Sequence, residues 1–396
     1  MASFGKAASL ALAAALSIGL ATLPASAEDA PGVTPDSVKI GSWVALSGPV
    51  AVYGVPLRAG VQSYFDLVND RGGINGRKIE WIVEDNAYNP QQTVAIARKL
   101  ISSDNVLALV VPHGTGQSAA AFPYAIDQQK VPMLLPYGGA KDWYDPLKPG
   151  LLGLHVLYED QAAAIGRWAA QDGHKKVLVI YGANAAFENV ANHVEPGVKA
   201  LSQDASVELL PVKIGTTDYG PIVLDIMNRK PDAIVCIQLL QEIVLLSKGL
   251  KQQGADIQVY SYAPTVGQAT IDLGGEFVEG LKAPSLTNSP FSDHPAAQEY
   301  REALAKYAPG EKPDFVSYLG FGAAKIFAEA LSKAQEPLTR ESLLGAFHAM
   351  QGYDSGIFPP VTFAQERPLG GHLLQPMQVK DGKWVEVGDV IDVNQF

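Results

Sequence analysis

Apolar residues in this chain follow two alternating rhythms. Short runs dense in β-branched and aromatic residues, such as VKIGSWVAL (38–46), KIEWIVED (78–85) and VLALVVP (106–112), predict strands. Between them, apolar side chains recur at three- and four-residue steps. Leu57, Val61, Tyr64, Phe65 and Val68 form one such stripe, and Val94, Ala97, Leu100 and Ile101 another. That is the spacing of one helix face. The glycines of RGGINGR suit the end of the first helix, and Asn89-Pro90 suits the start of the second. A helix over 116–129 then separates VLALVVP from the strand VPMLLP.

The rhythm restarts after residue 157. Strands are predicted at 176–182, 206–214, 232–238 and 256–263, with helices at 187–202, 219–229 and 240–253 and one following Glu159-Asp160. Longer helical patterns cover 315–333 and 340–350, and LLQPMQVKDGKWVEV reads as a hairpin turning at Asp381-Gly382. Short apolar strands separated by helices imply parallel sheets covered on both faces. Two such units with no low-complexity linker predict an α/β protein of two lobes, joined at a hinge of crossing strands.

The N-terminus changes the setting. Lys6, an Ala/Leu-rich run from Ala7 to Leu23 and the small residues Ala25-Ser26-Ala27 have the order of a secretory signal peptide, with cleavage expected after Ala27. No Cys directly follows the run, so no lipid anchor is expected. The chain has 396 residues, too many for one ordinary core. Its net charge of −11, without basic clusters, argues against nucleic acid as a partner. Cys236, the only cysteine, lies in the apolar run AIVCIQ and is expected to be a buried, inert thiol, so packing rather than disulfides must hold the fold.

The candidate chemistry centres on HGTGQSAAA (113–121). A dinucleotide loop would open the first βα unit and be followed by an acid at the next strand tip, but here the tip is Tyr137-Gly138-Gly139. A hydrolase elbow needs a second glycine after Ser118, where Ala120 stands. No phosphate-binding GK[ST] loop occurs, and the seven histidines lack metal-ligand spacing, so no cofactor or metal is expected. His113 alone adjoins the loop. The acidic stretch Glu84-Asp85-Asn86 is expected to cap a turn. What survives is anion capture: backbone N–H groups at a helix start, with the hydroxyl of Ser118, face the carboxyl edge of a sheet.

Several segments together resemble the leucine/isoleucine/valine-binding proteins, the type I periplasmic solute-binding components of ABC importers. They are IGSWVALSGPVAVYG (40–54), NDRGGINGRKIEWIVEDNAYNPQQTVAIARKLI (69–101), PMLLP and GGEFVEGL (274–281). The resemblance implies a type I periplasmic binding protein fold, two Rossmann-like lobes joined by three crossovers near 156, 287 and 371. It implies an N-terminal lobe of 36–156 plus 288–371, a C-terminal lobe of 157–287 plus 372–396, and a signal peptide at 1–27. Carried over position by position, it implies that Tyr53 covers a ligand from the first lobe. Gly116, Gln117 and Ser118 would take its carboxylate, and Tyr137, Gly138 and Gly139 would contact its head group. Phe187, Leu239, Ala263 and Phe315 would line the remainder.

Ala263 departs from the family pattern, since amino-acid-binding members place a carboxylate there for the ligand's ammonium. Either another acid, such as Glu188 or Glu242, reaches in, or the ligand has no α-amine. The implied function is binding, not catalysis, of a small carboxylate by lobe closure in the periplasm. The implied partners are an inner-membrane permease with its ATPase subunits, and a monomer is expected. A receptor-linked sensor or an exported α/β enzyme are the alternatives.

Overall fold

The computed structural model describes residues 30–395; the expected signal segment 1–27 lies outside them. The chain opens with β1 (Ser37–Val44), α1 (Ala51–Asp70), β2 (Lys78–Asp85), α2 (Pro90–Ser102), β3 (Leu109–Val110), α3 (Thr115–Phe122), β4 (Met133–Leu134) and β5 (Leu151–Leu152). These strands form one parallel sheet in the order β2-β1-β3-β4-β5. β1 and β2 align from Ser37 opposite Lys78 to Val44 opposite Asp85. The start of α2 forms as its sequence suggests: Asn89 accepts the N–H groups of Gln91 and Gln92, and Pro90 fills the first turn.

A second sheet follows. Its parallel part comes from α4 (Tyr158–Gln171), β6 (Lys176–Gly182), α5 (Ala185–Ala191), α6 (Val194–Lys199), β7 (Ser206–Val212), α7 (Gly220–Arg229), β8 (Ala233–Ile237), α8 (Leu240–Gln252), β9 (Gln258–Ser261), α9 (Gln268–Gly274) and β10 (Lys282–Ser285). The chain then returns to the first sheet's side through α10 (Pro295–Tyr307), α11 (Phe315–Lys333) and α12 (Arg340–His348), with α10 and α11 packed on α1. It then adds the antiparallel pair β11 (Leu373–Lys380) and β12 (Lys383–Glu386) to the edge of the second sheet, whose order is β12-β11-β10-β9-β8-β6-β7, with β13 (Ile391–Asp392) also pairing with β11. Asp381 and Gly382 turn this hairpin with φ of 51° and 65°. The result is a type I periplasmic binding protein architecture, two lobes joined by crossing segments.

Those segments touch. Gly153 pairs with Leu369, and the Gly370 N–H donates to Gly153 O at 2.9 Å. Leu154, Val156, Leu286, Gly370, Gly371 and His372 line one small space between them. A Cβ on Gly371 would lie 2.1 Å from Leu154 O, so only glycine permits this approach.

Four expected elements differ. The strands over 106–112 and 131–136 narrow to two residues each, because Val111 and Leu135 take φ of 54° and 55° just before Pro112 and Pro136. A β-branched residue rarely adopts that conformation, and the break re-aims the chain at the carboxyl edge of the sheet. The helix over 116–129 becomes a π-helix from Pro123 to Gln128, since proline supplies no N–H to the α-helical ladder. The helix over 187–202 divides into α5 and α6, with Pro196 in the first turn of α6. α10 has no counterpart among the predicted elements, although His294-Pro295 marks its start and His294 caps it by accepting the Ala296 N–H. Cys236 is fully buried in β8, and burial pushes its thiol pKa up.

Candidate functional site

The carboxyl ends of the first sheet's strands carry a row of rings. Tyr88 follows β2, His113 follows β3, Tyr137 follows β4 and His155 follows β5. Centroid separations are 5.4 Å for Tyr88–His113, 5.3 Å for His113–Tyr137 and 5.8 Å for Tyr137–His155. The row continues into the second lobe through Tyr158, 4.8 Å from His155, and Tyr262, 5.6 Å from Tyr158. Six rings thus cross the cleft as one wall.

The backbone holds this row in place. The His113 N–H donates to Trp43 O at 2.9 Å, that of Tyr137 to Pro112 O at 2.9 Å, and that of Gly114 to Tyr137 O at 3.0 Å. Ala87 and Tyr88 both take positive φ, which turns Tyr88 back over the loop, where its carbonyl accepts the Gln117 side-chain N–H at 2.7 Å. Asp85 caps the opposite turn by accepting the Leu46 and Ala87 N–H groups at 2.9 and 2.8 Å. Burial works to raise its pKa, but these bonds and the Ser47 side chain hold it below the usual carboxylate value.

The expected anion loop forms the start of α3. Gly114 is its N-cap and has no side chain to satisfy the first amides, which find no partner within a helix. Ser118 is fully buried, and its Oγ has no hydrogen-bond partner among the described residues; the same holds for Gln117 Oε1. Gly138 sits beside this loop at φ 138°, where a Cβ would come within 2.8 Å of Thr115 Oγ1. Gly139 lies beside His155 and Leu157. Gly116 is exposed and meets nothing.

The second lobe supplies the facing wall. Tyr137, Ala263 and Phe315 line one cavity together with His155, Pro264, Ser285, Thr287 and Val316. The cavity is small, about 20 Å³. Tyr53, on α1, is buried, and its hydroxyl lies within hydrogen-bonding reach of the Leu240 backbone at the start of α8. Leu239 is the half-buried residue just before that helix. Phe187 is half-buried against Gly182; it does not line the cavity, and neither do Tyr53, Gly116, Gln117, Ser118, Gly138, Gly139 or Leu239.

Most of the nearby acids are held by hydrogen bonds or exposed. Glu242 is buried, and its two oxygens accept the Gly215 and Leu239 N–H groups at 2.7 and 3.1 Å. Glu188 is exposed. Asp314 accepts the Gln268 N–H at 2.6 Å, and burial lifts its pKa to about 6. Buried Glu159 accepts the Lys141 N–H and an Asn189 Nδ2–H through Oε1 at 3.2 and 2.8 Å, while its Oε2 has no hydrogen-bond partner among the described residues. No Asp, Glu, Lys or Arg lines the cavity. Burial also lowers the pKa of His113 to about 3 and that of His155 to about 4, against a weak opposing pull from the Val156 carbonyl in the latter. Both imidazoles are therefore neutral at pH 7. The cavity lining is thus uncharged, and the unpartnered Ser118 hydroxyl lies outside that lining, in the first turn of α3.

A family profile described as periplasmic binding protein matches residues 37–383. The chain belongs to the periplasmic binding protein family. Members similar to it are substrate-binding proteins rather than enzymes. It is 24% identical over 307 residues to the leucine-, isoleucine-, valine-, threonine- and alanine-binding protein of Pseudomonas aeruginosa, covering 76% of this chain and 79% of that one. Among solved structures, it is similar to a fatty acid ABC transporter substrate-binding protein from Thermomonospora curvata. That likeness has a TM-score of 0.82 at 23% identity and covers 93% and 96% of the two chains. It is also similar to a branched-chain amino acid ABC transporter protein from Thermus thermophilus with bound valine, with a TM-score of 0.81 at 18% identity and coverage of 91% and 97%.

Residue spacing did not single out Tyr88, His155, Tyr158 or Tyr262 as site residues. Each follows or borders a strand end, so the carboxyl-edge rule would have found them once strand boundaries were fixed.

Proposed function

We propose that this chain is the extracytoplasmic substrate-binding protein of an ABC importer, and that its two lobes close on a small aromatic or branched carboxylate lacking an α-amine. The lobes would be 36–156 plus 288–371 and 157–287 plus 372–396, hinged where the three segments cross. Export would follow from the signal segment at 1–27, and the closed form would be read by a membrane permease with its ATPase subunits.

The observation that carries this reading is the pairing of free neutral donors with an uncharged cleft. Ser118 Oγ and the first amides of α3 can hold an anion through hydrogen bonds and the helix dipole alone. In the cavity lining, Ala263 stands where the family resemblance implies a carboxylate, and Glu242 is committed to backbone amides. An ammonium closed into such a cleft would lose its hydration without a counter-charge, at a cost of several kcal/mol. The names of similar proteins include both amino-acid binders and a fatty-acid binder, and a carboxylate is common to those ligands. Tyr53, Gly116, Gln117, Ser118, Tyr137, Gly138, Gly139, Phe187, Leu239, Ala263 and Phe315 are the proposed contacts, with Ser118 and Tyr137 central.

Calorimetric titration tests this. Leucine and phenylalanine are compared with 4-methylpentanoate and 3-phenylpropanoate, which lack the amine. Binding of the deaminated acids and weak or no binding of the amino acids is expected. Tight leucine binding with no response to either acid would overturn the ligand assignment.

A further inference from the structure

We propose that His155 determines specificity by accepting a hydrogen bond from a hydroxyl group of the bound acid. This rests on the carboxylate reading above and narrows its substrate class to hydroxylated acids.

His155 stands at the end of β5, is only 4% exposed, and lines the cavity between the lobes. Its Nδ1 lies 2.8 Å from Val156 O. A carbonyl oxygen only accepts, so Nδ1 carries the ring proton and Nε2 of the neutral ring presents a lone pair. That Nε2 is buried and has no hydrogen-bond partner among the described residues. A buried acceptor left unpaired is costly, and pairing it is a source of discrimination. Two of the nearby ring hydroxyls have partners of their own. Tyr262 donates to Gln238 O at 3.0 Å, and Tyr158 lies within hydrogen-bonding reach of Thr115.

The partner must therefore be a donor on the ligand. An ammonium is disfavoured because the cavity lining holds no carboxylate. A hydroxyl satisfies the lone pair without bringing a charge. Ser285 and Thr287 line the same cavity, so a hydroxyl placed there meets other polar neighbours.

The test uses matched acids in calorimetry: benzoate with 4-hydroxybenzoate, and 3-phenylpropanoate with 3-phenyllactate and 3-(4-hydroxyphenyl)propanoate. In the wild type, at least one hydroxylated acid is expected to bind about tenfold or more tighter than its parent. In His155→Phe that preference should fall to about threefold or less, whatever the parent acid's own affinity becomes. If His155→Phe fails to fold, ¹⁵N NMR of the wild-type imidazole replaces it. The Nε2 signal should then move with the hydroxylated acid and not with its parent. Parents that bind as tightly as all their hydroxylated partners, a preference that survives in His155→Phe, or an unmoved Nε2 signal would overturn the role of His155 and leave the carboxylate reading intact. Failure of every acid to bind would overturn that reading, and this inference with it.

Discussion

Asp314 Oδ1 accepts the backbone N–H of Gln268 at 2.6 Å, and so links the start of α11, which packs on the first lobe, to α9 of the second. The bond closes one side of the cleft beside Phe315 and Val316. Its carboxyl is buried, with Asp272 as a repelling neighbour.

The pH dependence of stability follows with a definite sign. Burial raises the folded pKa of Asp314 from 3.8 to about 6, so its contribution is fully present below 3.8 and is lost as pH rises through about 6. Burial lowers His113 and His155 from 6.5 to about 3 and about 4, so theirs are present above 6.5 and are lost as pH falls toward those values. Two histidines oppose one carboxyl, so the wild-type Tm is expected to fall between pH 6.5 and 4. Asp314→Asn keeps an acceptor for Gln268 but removes the opposing proton uptake, so its Tm should fall more steeply over pH 6 to 4. Thermal scans across that range check this, and an unchanged slope in the variant would refute the assignment.

Ser118→Ala separates binding from folding. The hydroxyl has no protein partner, so its loss should leave the Tm of the ligand-free protein unchanged or slightly raised. A hydrogen bond to a charged ligand group is worth about 1.5–3 kcal/mol, so affinity for the carboxylate ligand should fall about ten- to a hundredfold. Calorimetry paired with a thermal scan reads both.

Ala263→Glu should redirect specificity. Ala263 lines the cavity, where a new carboxylate would offer the missing partner for an ammonium. The variant is expected to gain leucine or phenylalanine binding and to lose the deaminated acids through like-charge repulsion. Calorimetry against both ligand sets decides it.

The crossing segments are predicted to be sensitive to a single methyl group. Gly371→Ala would place a Cβ 2.1 Å from Leu154 O, between two crossing segments. Forced movement of backbone in a packed region costs about 1–3 kcal/mol, which should appear as a lowered Tm. A variant with wild-type Tm and affinity would show that these segments separate freely.

The fold was largely legible because strand and helix periods alternate cleanly, as in KIEWIVED, where the predicted and observed strand coincide. The junction that holds Gly114 and Ser118, where β3 leads into α3, was legible too. The aromatic wall was not. Tyr88 reaches the cleft through two successive left-handed residues, and Val111 and Leu135 end their strands early against the preference of their side chains. Tertiary packing imposes such conformations, and no local pattern announces them. The commitment of Glu242 to Gly215 likewise depends on a contact 27 residues away in sequence.

The most direct measurement is a crystal structure of the protein with its tightest-binding acid. The carboxylate is predicted to lie within hydrogen-bonding distance of Ser118 Oγ and the first amides of α3, with Tyr53 and Ala263 closing over an unaltered ligand. A carboxylate bound at the opposite end of the cleft, or a chemically transformed ligand, would contradict the account.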